Sequence, residues 1–364
     1  MKWSAVYAFV VLAALVAACA PAPTPAPTAA PPTAAPKVTS APAETKVAEP
    51  TKPPVTPTVA TASPSRPIEF VISTNPGGGS DIYARAMQGV IEKNKFSPQS
   101  YLPVNKDGGA GAVAFQYVFE KKGDMHFVMI TLNSFFTTLI SQKGTLPFQY
   151  KDFTPIANLA LDPFFLWVPD DSPWKTAGDF VTAAKADAVT VSGTGAKQED
   201  EILFNLIQTK GGTKPFRYVP QSGGGAVAAA LAGKQVQATV NNPSEGLALY
   251  QAAPRKIRPI CTFANAIPAA GPYKDLPTCK SQGLDVGIEY FIMRSVMAPP
   301  GLKPEEIAFH AQTFRKVFDS TEWKAFAETN VLENKFLVGA DFAKFLDEYN
   351  TLHEGVMKAA GWVP

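Results

Sequence analysis

The chain has 364 residues, 46% of them hydrophobic and 18% charged, with a formal net charge of +2. Near charge balance with no basic stripe excludes a nucleic-acid-binding face, and no amphipathic basic helix suggests a membrane contact by the body of the chain. Three histidines, His126, His310 and His353, stand at no metal-ligand spacing, so neither a metal nor any other cofactor is expected.

The chain opens with Lys2 and an apolar run over 5–16, and then reads Val16-Ala17-Ala18-Cys19. A charged start, a short apolar core and small residues form a secretory signal peptide over 1–18. A cysteine directly after them is the pattern of a bacterial lipoprotein. A lipid on Cys19 would hold the protein on the outer face of the cytoplasmic membrane. The apolar run is shorter than the ~20 residues of a comfortable membrane span. Residues 19–65 follow as the lipidated cysteine and a tract rich in Pro, Thr and Ala. Such a tract buries too little apolar surface to offset chain entropy, so it reads as an extended, disordered tether.

From Arg66 the composition turns globular, and about 300 residues remain, enough for two domains. Short apolar strands are expected at 67–73, 101–104, 126–131, 189–192, 216–219, 236–240 and 257–262. Helical spacing is expected over 80–91 and 110–119. The stretch 304–360 reads as helical, broken by a strand at 335–338. Alternating strands and helices predict α/β layers, mostly parallel sheets flanked by helices.

One kind of junction recurs: strand, small-residue loop, helix start. It stands at Asn75-Pro76-Gly77-Gly78-Gly79-Ser80-Asp81, at Ser192-Gly193-Thr194-Gly195-Ala196 and at Ser222-Gly223-Gly224-Gly225, with a relative at Asn241-Asn242-Pro243-Ser244-Glu245. Glycine lets backbone approach a ligand, and free N–H groups at a helix start favour an anion. Any one of these is as readily a plain turn; four of them point to an anion-binding cleft beyond the strand ends. Gly109-Ala110-Gly111-Ala112-Val113-Ala114 fits a loose dinucleotide pattern, but it follows the second strand and lacks the acidic partner. No phosphate loop and no nucleophile elbow occur, so no catalytic residue is assigned and the chain is not read as an enzyme.

Besides Cys19 the chain has two cysteines, Cys261 and Cys279. In an exported body a disulfide between them is favoured, with two buried thiols as the alternative.

Several motifs, in order and spacing, resemble the substrate-binding proteins of the tripartite tricarboxylate transporters, the Bug proteins. They are Asn75 to Asp81 followed by Ala84-Arg85, Asn105 with Gly108 to Gly111, and Pro173-Trp174-Lys175-Thr176 with Asp179-Phe180. Gly223 to Ala226 with Leu231-Ala232-Gly233, Leu276 to Cys279 with Gly283-Leu284, and Met293-Arg294 through 298–301 complete the match. Cys279 and Arg294 resemble the citrate-type subgroup; Ser80 stands where several such receptors carry an aromatic. The resemblance implies a two-domain, type II periplasmic-binding-protein clamshell. Domain 1 would comprise 66–164 and 293–364, and domain 2 would comprise 165–292. It also implies a monomer that captures a small di- or tricarboxylate, aromatic or hydroxylated ones included, and delivers it to a two-component membrane permease. A receptor for a signalling kinase is the alternative, and an enzyme on the same fold a more remote one.

Within that frame Gly78, Gly79 and Ser80 would bind a carboxylate through backbone N–H groups. Thr194, Gly195 and Ala196, with Ser222, Gly223 and Gly224, would approach from the other domain. Asn75, Asn133 and Asn242 join the ligand set, and Gln198 and Asp200 would reach the far end of the solute. Asp81 either caps the first helix or touches ligand. Arg294 either binds a second carboxylate or holds an internal ion pair.

Overall fold

The structure, a computed structural model, describes residues 62–266 and 270–364. Cys19, the signal peptide and the tether up to residue 61 lie outside the described residues.

The first lobe is built on a six-stranded sheet, in which β1 (Ile68–Ile72), β2 (Tyr101–Asn105) and β3 (Phe127–Thr131) run parallel. β10 (Phe291–Ala298), β4 (Thr154–Pro163) and β11 (Glu333–Leu337) extend it antiparallel, giving the order β11-β4-β10-β3-β1-β2. The second lobe has five strands. β7 (Arg217–Gln221), β6 (Thr190–Thr194) and β8 (Ala238–Asn241) run parallel, and β5 (Phe165–Pro169) and β9 (Ile257–Thr262) lie antiparallel in the order β7-β6-β8-β5-β9. The sheets are therefore mixed, with a parallel half in each. The antiparallel half comes from the long apolar runs at the crossings, which pair back on their own lobes.

Helices α1 (Gly79–Asn94), α2 (Ala112–Phe119) and α3 (Ser134–Ser141) follow the parallel strands of the first lobe. α4 (Ala177–Ala186), α5 (Glu199–Gly211), α6 (Gly224–Ala232) and α7 (Pro243–Tyr250) belong to the second. α4 starts where the sequence marks it: Thr176 Oγ1 accepts from the Asp179 N–H at 3.1 Å, and Asp179 accepts from the Thr176 N–H at 2.9 Å. α8 (Pro304–Asp319) and α9 (Thr321–Thr329) pack on the first core through Phe314, Val317, Trp323 and Ala327. α10 (Gly339–Ala359) joins both lobes. Phe342, Phe345 and Leu346 cover the first sheet, while Met357 joins the second lobe's cluster and His353 bonds Tyr290 at 2.9 Å. The C-terminal helix thus fastens the return crossing instead of packing on one lobe alone.

The lobes repeat one plan. β2-β1-β3 and β7-β6-β8 are the same parallel triplet, and the burial pattern across 71–80 recurs across 191–200. In both stretches a buried strand end rises into an exposed loop and falls into a buried helix start. This is why the junctions face each other.

His126 accepts from the Ser65 N–H at 3.1 Å and bonds Asp124 at 2.7 Å, fastening the start of the globular body to β3.

Cys261 and Cys279 form a disulfide, with Cα atoms 4.9 Å apart and both residues buried in the second lobe's core. Replacing both with serine is expected to lower stability by about 3 kcal/mol on the chain-entropy model. Equilibrium unfolding with and without reductant measures it. A variant as stable as the parent would show that the link adds nothing beyond packing.

Candidate functional site

A helix start leaves its first N–H groups without helical partners. In α1 the first helical bond runs from the Ile82 N–H to Gly78 O at 3.1 Å, which leaves the amides of Gly79, Ser80 and Asp81 for other acceptors. Gly79 donates across the cleft to Glu245 Oε1, on α7 of the second lobe, at 2.9 Å. The amide expected to bind a solute carboxylate holds one of the protein's own carboxylates. α5 starts in the same way, its first helical bond running from the Ile202 N–H to Gln198 O at 2.9 Å. Its first turn carries Glu199, Asp200 and Glu201. Asp200 accepts from the Thr194 N–H, closing the loop on its own helix.

Two connected spaces lie between the lobes. The larger, about 400 Å³, is walled by Ser73, Thr74 and Asn75, by 107–111, and by Leu132 and Ser134 on the first lobe. From the second come Thr194, Gly195, Ala196, Gln198, Glu199 and Ser222. The smaller, about 20 Å³, is a recess walled by Gly78, Gly79, Ser80, Asp200, Gly224, Asn242, Glu245, Ile292 and Arg294. Thr74, Leu132, Thr194 and Glu199 border both.

Arg294 and Asp162 decide the chemistry of the recess. Arg294 Nη2 and Nε donate to Asp162 Oδ2 at 2.6 and 3.0 Å, and both side chains are fully buried. Nη2 also donates to Asn242 Oδ1 of the second lobe at 3.1 Å, and the guanidinium lies 4.4 Å from the Tyr83 ring centroid. Burial opposes the Arg294 charge, but Asp162, Tyr83 and Glu245 outweigh it and raise its pKa. Arg294 is therefore an internal ion pair at the hinge that shows its edge to the recess, not a free cation awaiting a second carboxylate.

Two other expected ligand residues are also committed elsewhere. Asp81 accepts from the Gly77 N–H (3.0 Å), Arg85 Nε (2.8 Å) and Asn105 Nδ2 (3.1 Å), so it shapes the loop before α1. Asn133 donates to Phe291 O at 2.8 Å and accepts from the Met293 N–H at 2.9 Å, strapping α3 to β10. Neither lines a space, and neither does Gly223. Asn75, Thr194, Gly195, Ala196, Gln198 and Ser222 wall the larger space, and Gly78, Gly79, Ser80, Asp200, Gly224, Asn242 and Arg294 wall the recess. Gln198 crosses the cleft, accepting from Thr137 Oγ1 at 3.0 Å and donating to Thr138 Oγ1 at 3.3 Å.

Three contributors lie outside the expected ligand set. The loop 108–111 has φ of 121°, 57°, 57° and 98° in succession, with Ala110 the third. Left-handed backbone at a non-glycine residue costs free energy and clusters at functional sites; Thr138 Oγ1 donates to Ala110 O at 2.7 Å and holds it. Glu245 appeared only as the tail of a junction. Glu199, between the two named residues Gln198 and Asp200, is buried and its Oε1 has no partner among the described residues.

Burial pushes the Glu199 carboxyl up to about 7, against hydrogen bonds from its own and the Ser134 N–H; Arg294 also lowers it and Glu245 raises it. Burial, then the charge of Glu245, holds Asp200 well above the usual carboxylate range. With the folded pKa above the unfolded one, the stability contributed by neutral Glu199 is complete below the ordinary value of about 4.5. It is lost as pH rises through about 7. Glu199→Gln is expected to raise the solute-free protein's stability by roughly 1–3 kcal/mol at pH 8 and to leave it little changed at pH 4. A melting series over pH checks this; equal gains at both ends would show that Glu199 does not titrate in this window.

Two mixed α/β lobes, crossed by the chain at β4–β5 and again before β10, with paired loops over the space between them, define a solute-binding receptor of the periplasmic-binding type. Residues 85–361 match the tripartite tricarboxylate transporter family receptor (TctC), and the chain belongs to that family. A UPF0065 protein of Cupriavidus necator is 25% identical over 304 residues, covering 82% of this chain and 88% of its own. Among solved structures, the R. palustris protein Rpa4515 with adipate superposes with a TM-score of 0.73 at 23% identity, covering 82% of this chain and 98% of its own. MatC from Rhodopseudomonas palustris with bound malate gives 0.69 at 21%, covering 80% and 99%. At these identities the structures establish the fold.

Proposed function

We propose that the protein is an exported, lipid-anchored receptor that captures a small carboxylate between its lobes and delivers it to a tripartite tricarboxylate permease. The carrying observation is the space of about 400 Å³ walled by small-residue loops of both lobes. A solute that touches both halves stabilises the closed arrangement by its differential affinity for it. Hydroxyls and amides of Ser73, Thr74, Asn75, Ser134 and Ser222 supply neutral donors for a carboxylate. Family membership supports the delivery role, and the adipate and malate seen in the two R. palustris proteins support the solute class.

Calorimetry of the purified protein against aliphatic, aromatic, hydroxylated and amino-bearing mono-, di- and tricarboxylates tests the reading. Micromolar or tighter binding of at least one is expected, about −8 kcal/mol; no binding across the panel would refute it. The anchor has its own test. Mass spectrometry of the mature protein is expected to show Cys19 as its first residue carrying a diacylglycerol thioether, lost in Cys19→Ser; an unmodified Cys19 would refute lipidation at that residue.

A further inference from the structure

We propose that the solute carries a protonated amine beside its carboxylate, and that Glu199, backed by Asp200 and Glu245, receives that amine. This rests on the solute-binding reading above and narrows its solute class.

The charge inventory carries it. Among the described residues walling the larger space none is Lys or Arg, while Asp107 and Glu199 are acidic. The recess adds Asp200 and Glu245, and its one base, Arg294, is spent on buried Asp162. The α1 amide at Gly79 is spent on Glu245. A solute bringing only carboxylates would add like charge to a low-dielectric space already short of cations, which disfavours binding. An ammonium group reverses the balance and supplies three donors.

The acceptors it would meet are present and unused. Glu199 is 2% exposed, borders both spaces and has an unpartnered Oε1. Ser80 is 1% exposed, lines the recess, and its Oγ is also unpartnered among the described residues. A buried polar atom without a partner costs free energy until something satisfies it. No group of three or more His, Cys, Asp or Glu among the described residues is placed to hold a metal ion; a proton balances the Glu199 charge only below about pH 7, and at pH 8 the balance falls to the solute. The neutral hydroxyls and amides of the larger space are left for the carboxylate.

The test is calorimetry at pH 8 on the purified protein. Each common amino acid is compared with its des-amino acid and, where one exists, its 2-hydroxy acid: glutamate, glutarate and 2-hydroxyglutarate, for example. At least one amino acid is expected to bind about tenfold or more tighter than both counterparts. In Glu199→Gln that ratio should fall towards one, while the des-amino acid binds as well as before or better. If des-amino or hydroxy acids bind as tightly as every amino acid, or if the ratio survives Glu199→Gln, the inference is wrong while the receptor reading stands. If no carboxylate binds, with or without an amine, the receptor reading falls and takes this one with it. The wild-type comparison decides the matter even if Glu199→Gln fails to fold.

Discussion

Arg294→Met is expected to destabilise the protein by about 3–5 kcal/mol, because it leaves the Asp162 carboxylate buried without its cation. The loss also removes the bond to Asn242 and the contact with the Tyr83 ring, so the hinge loosens as the fold weakens. The double change Arg294→Met with Asp162→Leu should recover much of that loss, since a well-packed apolar pair replaces a buried ion pair at little cost. Denaturant unfolding of the two variants separates the readings. A single variant within 1 kcal/mol of the parent, well below the range above, would mean that the guanidinium is not held as the structure shows.

Gly79→Ala is expected to weaken solute binding by roughly 100-fold, about 2.7 kcal/mol. A Cβ at this position would lie 2.5 Å from Arg294 Nη2, and Asp162 prevents the guanidinium from yielding. The start of α1 must then back away from Glu245 and the second lobe, and the loops no longer meet. Gly89, on the same helix, is the control: a Cβ there meets nothing within 4 Å. Gly89→Ala should leave affinity unchanged and stabilise the helix by about 0.5–1 kcal/mol. Equal affinities for the two variants, measured by calorimetry with the cognate solute, would show that α1 plays no part in closing the cleft.

The recurrence of the junctions was legible because glycine runs and short apolar strands are local features. The alternation of strands and helices gave the lobes but not the direction of every pairing. The pairing of β4 and β10 as antiparallel neighbours depends on contacts between residues 128 to 144 positions apart in the chain. The same distance hid the partner of Arg294: Asp162 lies 132 residues away. Asn133 was misread because its partners are backbone groups of β10, which no side-chain pattern reveals. Glu199 was passed over because an acid in the first turn of a helix has an ordinary role there. Only its burial between two lobes shows that it is unsatisfied. The left-handed backbone of Ala110 is likewise a tertiary fact, held by Thr138.

A crystal structure of the protein with its solute bound tests the central claim most directly. The account predicts solute atoms between Thr194 to Ala196 and the 108–111 loop, touching both lobes and within hydrogen-bond distance of Glu199. A groove of about 440 Å³, walled by Lys143, Phe148, Lys151 and Glu354 among others, lies away from the cleft. A solute seated there, with the space between the lobes left unfilled, would contradict the account.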